Sequence, residues 1–190
     1  MHLPVRRDSV ESMGATFHLA PMTADLRIAT WLLWALALGM GCVALATPFF
    51  VGAFLFATAA FMVLTYASVW LGFRPSRFVI EPEALTIEWP LRSRVIRRAD
   101  IERARIVSAA DFRREYGYGM RIGAGGLWGG FGLLKTGAET FSMWISRTDR
   151  YVIVTLRNDR PLLLTPTLPE RFVELLEVTP AVDAATRGEG

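Results

Sequence analysis

The chain has 190 residues, of which 52% are hydrophobic, with 21 basic and 18 acidic side chains and one cysteine. That length holds about one domain, and the composition excludes a disordered or collagen-like chain, a disulfide framework and a multi-cysteine metal site. The charges are unevenly placed: the 46 residues from 28 to 73 contain no Asp, Glu, Lys, Arg or His, which excludes a simple soluble globule.

Residues 1–25 have no sustained hydrophobic period and are expected to form a tail. The apolar block, 26–73 with its flanks, is too long for one membrane span of about 20 residues and suits two. Thr47-Pro48 is the natural break, because proline lacks a donor and disfavours helix at the residue before it. Helices are therefore predicted at about 28–46 and 49–71, with their backbone groups satisfied internally as lipid requires. A cleaved signal peptide does not fit, since its apolar region runs only about 7–15 residues from a short basic start. A buried soluble pair does not fit either, because every face of both segments is apolar.

Arg6, Arg7 and Arg27 precede the first span, and Arg74 and Arg77 follow the second, whereas the turn is uncharged. The positive-inside rule then puts both chain ends in the cytoplasm and the turn on the far side of the cell membrane. Trp31, Trp34 and Trp70 fall near one membrane face. Ala35, Gly39, Ala53 and Ala57 permit close helix contact, within the hairpin or in a homodimer.

From residue 74 to 178 the texture is that of a β domain, with short runs separated by turns. Strands are predicted at 77–80, 84–89, 94–97, 103–108, 131–134, 141–146, 151–156 and 161–165. Leu85, Ile87 and Trp89 share one face of the second of these, and Thr86 and Glu88 the other. Residues 157–160 read as a hairpin connection. Residues 111–130, rich in glycine, read as a long irregular loop of the kind that is functional or mobile. Thr167 and Glu170 have capping-box spacing, Pro169 suits the first turn, and Phe172, Leu175, Leu176 and Val178 share a face of a closing helix that Pro180 stops. Residues 179–190 read as a flexible tail.

Residues 74 to 177 resemble the bacterial pleckstrin-homology-like (PH) domain of small membrane proteins. The resemblance is carried by Phe73-Arg74, by Phe78-Val79-Ile80, by Tyr118-Gly119-Met120-Arg121, by Trp128-Gly129-Gly130-Phe131-Gly132, and by Leu164-Thr165-Pro166 with Pro169-Glu170 and Phe172. It implies a strongly bent seven-stranded β-sandwich or barrel capped by a C-terminal helix, one strand fewer than the eight predicted. It implies no enzymatic activity and, for most bacterial members, no defined ligand.

Catalytic constellations are thin. His2 and His18 lie 16 residues apart in the tail, Cys42 sits in the apolar block, and no serine elbow, Walker pattern or complete dinucleotide fingerprint occurs. No metal site and no cofactor are expected. The glycine cluster reads as backbone positions needing positive φ or close approach.

Charge is more informative. From Arg74 to Lys135 there are twelve basic and seven acidic residues. Arginines near the membrane exit each gain about 1 kcal/mol beside an anionic leaflet. The candidate lipid- or partner-binding residues are thus Arg92, Arg94, Arg97 and Arg98 on a basic face, with Tyr116, Tyr118, Arg121 and Trp128 on the loop; the same arginines also satisfy a purely topological role. No nucleic-acid motif accompanies the basic balance, so nucleic acid is not an expected partner. The reading is a non-catalytic membrane protein presenting a cytosolic PH-like domain. Its rivals are an accessory subunit of a larger membrane complex and a lipid enzyme using Asp100, Glu102, Asp111 and Glu115.

Overall fold

The computed structural model describes residues 14–125 and 128–177. The predicted C-terminal tail, residues Val178 and Pro180, most of the predicted N-terminal tail with His2, Arg6 and Arg7, and Gly126-Leu127 of the glycine cluster lie outside the described residues.

Two antiparallel helices, α1 (Ala24–Ala46) and α2 (Phe49–Ser68), form the hairpin, and a π-helical turn, Val69–Phe73, extends the second. Both are long and apolar enough to cross a bilayer, and only 11% and 17% of their most apolar windows is buried. The seam follows a seven-residue repeat: Thr30, Ala37 and Ala44 on α1 are buried against Tyr66, Ala59 and Gly52 on α2. Such a repeat keeps one stripe facing the partner helix. At the turn end a Cβ on Gly52 would stand 2.6 Å from the Ala44 carbonyl oxygen. At the other end the Tyr66 hydroxyl donates to the Leu33 carbonyl at 3.1 Å. Ala35, Gly39, Ala53 and Ala57 are exposed. The expectation that they pack the hairpin is corrected: they stand one or two positions off the repeat, turned outward.

The remaining chain builds two sheets. The first comprises β1 (Ala15–His18), β2 (Arg77–Ile80), β3 (Ala84–Glu88) and β4 (Ser93–Arg97), antiparallel and in that order. The second comprises β5 (Ile101–Ser108), β6 (Gly119–Gly125), β7 (Gly130–Thr136), β8 (Thr140–Ile145), β9 (Arg150–Leu156) and β10 (Leu162–Leu164). Its order is β5-β9-β10-β8-β7-β6, with only the β10–β8 pair parallel. All eight predicted strands are present within one or two residues, and β9 to β10 turns at 157–160 as expected. The seven-stranded expectation is corrected to four plus six strands, with no closed barrel among the described residues.

Phe78, Leu85, Ile87, Phe131, Leu162 and Leu164, each fully buried, fill the space between the sheets. The closing helix, α4 (Pro169–Glu177), inserts Phe172 edge-on to Phe17 and Phe78, with ring centroids 5.2 and 5.9 Å away. Pro169 opens it as expected, but the capping box is corrected. Phe172 donates to the Leu168 carbonyl, so Leu168 holds the cap position. Thr167 is instead drawn into sheet-like pairing, its N–H donating to the His18 carbonyl.

Two further corrections bear on function. Part of the expected N-terminal tail is β1, paired along β2, and the chain after it stays strapped in: Ala20 donates to the Thr165 carbonyl, and the buried Ser146 hydroxyl donates to the Ala20 carbonyl at 2.5 Å. The expected loop at 111–130 is mostly regular, consisting of α3 (Ala109–Tyr116) followed by β6. Ser108 caps α3 by accepting from the Asp111 N–H, and Gly117, at φ 75°, ends it. Phe112 and Tyr116, one turn apart on α3, cover Phe141 on the outer face of the six-stranded sheet. This second core contains Met143, Ile153 and Leu163 as well.

Candidate functional site

The β domain is fastened to the end of the helical hairpin at two points. The first is the tip of the β6–β7 hairpin. Gly123 and Gly132 face each other there at φ 132° and 127°, and a Cβ on either would stand within about 2.5 Å of the opposite strand's carbonyl oxygen. Only glycine permits that approach, as expected for part of the cluster. Beyond them Trp128, at φ 56°, turns its N–H to Thr30 Oγ1 on α1 at 3.1 Å. Its ring meets Trp70 edge-on with centroids 5.0 Å apart. The Arg74 guanidinium lies 4.4 Å over the other partner of that pair, Trp70, a cation–π contact. Burial holds the Arg74 pKa below its usual value, because desolvation disfavours the charged form.

The second point is the β3–β4 turn. Trp89 Nε1 donates to the Phe73 carbonyl at 2.9 Å, and Trp89 meets Trp144 edge-on at 5.3 Å. Arg92 covers the Trp89 ring at 4.7 Å, with the exposed Leu91 beside it at the turn. Side chains from the β domain and from both helix ends thus form an aromatic collar at one end of the apolar pair.

The predicted basic face is largely neutralised within the fold. Arg94 pairs with Asp159 at 2.6 Å, and Arg97 with Asp100 at 3.0 Å. Arg98 reaches α4 and donates to the Leu175 and Leu176 carbonyls at 2.6 and 3.1 Å. Burial lowers its pKa. Of the four, Arg92 stands at the collar, and Arg94, besides pairing with Asp159, lies 6.0 Å over the Trp144 ring there.

The predicted loop residues also part company. Tyr116 belongs to the second core, its hydroxyl accepting from Arg105, which also grips Glu115. Trp128 is the collar contact. Tyr118 and Arg121 line a cleft of about 310 Å³ between α3 and the outer sheet face. Leu134, Met143, Ile145 and Leu163 contribute to its floor, and Arg113 of α3 stands at the rim with Arg121. In the sequence Arg113 reads, with Arg114 and Arg121, as a charge flanking a loop that could serve a protein partner; the Ser108 cap and the Gly117 stop were the signals that would have put it on a helix.

Asp100, Glu102, Asp111 and Glu115 do not converge: each faces its own arginine, namely Arg97, Arg157, Arg114 and Arg105. Among the described residues no three His, Cys, Asp or Glu side chains gather as a metal site. His18 stands in register with Arg77 on β1.

Two helices long and apolar enough to cross a bilayer, joined to a two-sheet β domain capped by a C-terminal helix, define a protein of PH-like architecture with two candidate membrane spans. The model of the bacterial PH domain family matches residues 76–179, more than half of the chain, and the chain belongs to that family. No curated protein and no solved structure matches it.

Proposed function

We propose that the protein is a non-catalytic membrane module in which the helical hairpin holds the PH-like domain against the inner face of the cytoplasmic membrane, both chain ends being cytoplasmic. There the domain meets lipid headgroups or a protein partner. The collar carries this reading. A domain on a free linker would sample many orientations, whereas bonds from Trp128 to Thr30 and from Trp89 to Phe73 hold two separate hairpins to the helix ends. The exposed rings of Trp31, Trp34 and Trp70 lie at the same end, where a headgroup-level aromatic belt would sit. Arg27, Arg74 and Arg77 lie on that side as well, consistent with the positive-inside rule.

The test is labelling of single cysteines with a membrane-impermeant maleimide in the full chain carrying Cys42→Ala. Thr47→Cys should react in intact spheroplasts, and Glu174→Cys only after permeabilisation. The opposite pattern overturns the topology. An accessory-subunit role is the second reading, supported by the outward Ala35 and Gly39, beside the latter of which a Cβ would meet nothing within 4 Å. A stoichiometric partner on detergent extraction, lost with Gly39→Leu, would favour it.

A further inference from the structure

We infer that the cleft between α3 and the six-stranded sheet binds an anionic group carried on an apolar body, with Arg113 and Arg121 holding the phosphate or carboxylate. This deepens the module reading by giving the membrane-held domain a ligand class.

Counter-charge is the first ground. Several arginines of the domain are matched to carboxylates, namely Arg77 to Glu88, Arg94 to Asp159, Arg147 to Asp149 and Arg150 to Glu170, whereas Arg92, Arg103 and Arg160 form no ion pair among the described residues. Arg121 has no ion pair among the described residues, and Arg113 uses its Nε only on the Ala109 carbonyl of its own helix, at 3.2 Å. No Asp or Glu lines the cleft. Both cations oppose the rise that burial imposes on the pKa of Tyr151 on β9, while Asp149, itself held by Arg147, adds to that rise. Two planar guanidinium forks across one concavity match the oxygens of a phosphate or carboxylate.

The floor is the second ground. Phe112, Leu134, Met143, Ile145 and Leu163 line the cleft with apolar side chains, so a ligand that fills it brings an apolar body as well as a charge. Placement is the third. Arg121 stands four residues from Gly125, about 13 Å at strand rise, along the hairpin that reaches the collar. Ile145, on the floor, backs Gly129 at the hairpin tip. The cleft therefore extends along the hairpin toward the collar, the end at which the proposed topology makes an amphiphile available from lipid; a soluble phosphate supplies the same charge.

The experiment is calorimetric titration of the full chain in nonionic detergent with dioctanoyl phosphatidate, dioctanoyl phosphatidylcholine and inorganic phosphate. Saturable binding of phosphatidate but not of phosphatidylcholine is expected, with Arg113→Gln and Arg121→Gln each weakening it about tenfold, as loss of a charged hydrogen bond does. Arg160→Gln, on the exposed β9–β10 turn, should leave it unchanged. Inorganic phosphate binding with the same arginine dependence supports the site and makes the headgroup sufficient. No saturable heat with either anion, equal binding of phosphatidylcholine, or an equal loss with Arg160→Gln overturns the inference. Both test arginines are exposed, so folding is not at stake. A negative titration leaves the cysteine-labelling pattern untouched, so the two readings fail separately.

Discussion

Trp128 and Thr30, 98 residues apart in the chain, meet through one hydrogen bond, the Trp128 N–H donating to Thr30 Oγ1 at 3.1 Å. Thr30 is buried on the helix seam and itself donates to the Leu26 carbonyl at 2.8 Å. One hydroxyl thus serves its own helix as donor and the β domain as acceptor. The contact joins the apolar hairpin to the sheet that carries the cleft.

Thr30→Val keeps the volume and removes the acceptor. The Trp128 N–H is then left without its partner, at a cost of about 1–3 kcal/mol. Hydrogen exchange of the Trp128 amide should quicken by about tenfold or more, on the lower part of that range, while amides of β8 and β9 stay as slow as before. Unchanged exchange at Trp128 would show that the tip is held by ring packing alone.

Trp89 offers a graded test of the second attachment. Trp89→Phe loses the donor to Phe73 but keeps most of the packing against Trp144, and should cost about 1 kcal/mol in thermal or denaturant unfolding. Trp89→Ala adds the missing ring volume and should cost about 3–5 kcal/mol. Equal losses for the two variants would mean that the bond to the Phe73 carbonyl dominates.

The β domain does not begin where the apolar block ends. Phe17 is buried against Phe172, and residues 15–20 pair with β2 and with 165–167. A fragment starting at residue 74 lacks these and should give poorly dispersed amide spectra. In the full chain, Phe17→Ala should cost about 3–5 kcal/mol. A well-dispersed spectrum from the short fragment would show that β1 is dispensable.

The two helices separate seam from outer surface at two glycines. Gly52→Ile drives a side chain into the Ala44 carbonyl and should loosen the hairpin, read as faster proteolysis at the Thr47 turn. Gly39→Ile enters open space and should leave proteolysis unchanged. The reverse order would refute the seven-residue seam.

Acid should weaken the outer elements first. The Arg105 hydrogen bond holds Glu115 below its ordinary 4.5, and the Arg147 hydrogen bond holds Asp149 below 3.8. A carboxylate with a depressed folded-state pKa contributes stability that is present above the unfolded value and lost as pH falls through the folded one. Melting temperature should therefore be flat near neutrality and fall as pH drops below about 4.5. Glu115→Gln should lower the neutral value slightly and shrink the fall. An identical acid profile in Glu115→Gln would remove that pair from the account.

What could be read from sequence was local. The uncharged block, the Thr47-Pro48 break, the alternation of Leu85, Ile87 and Trp89, and Pro169 at a helix start each state their structure within a few residues. β6 was illegible because it is almost wholly exposed, so no burial alternation marks it; pairing with β7 makes it a strand. β1 has one buried side chain, Phe17, too little to show a period. α3 did carry local signals, Ser108 with Asp111 and Gly117, but eight residues before a glycine-rich stretch resembled a loop.

The sequence by itself determined that two apolar helices precede a β domain closed by a helix, because periodicity and charge density are properties of neighbouring residues. Only the tertiary structure decided which arginines keep a charge to offer. Arg94 and Arg121 are the same side chain on strands, yet Arg94 meets Asp159 65 residues away, while Arg121 faces a cleft without carboxylates. Neutralisation depends on which distant groups the topology brings within about 4 Å of a cation, and that distance has no trace in the spacing of residues along the chain.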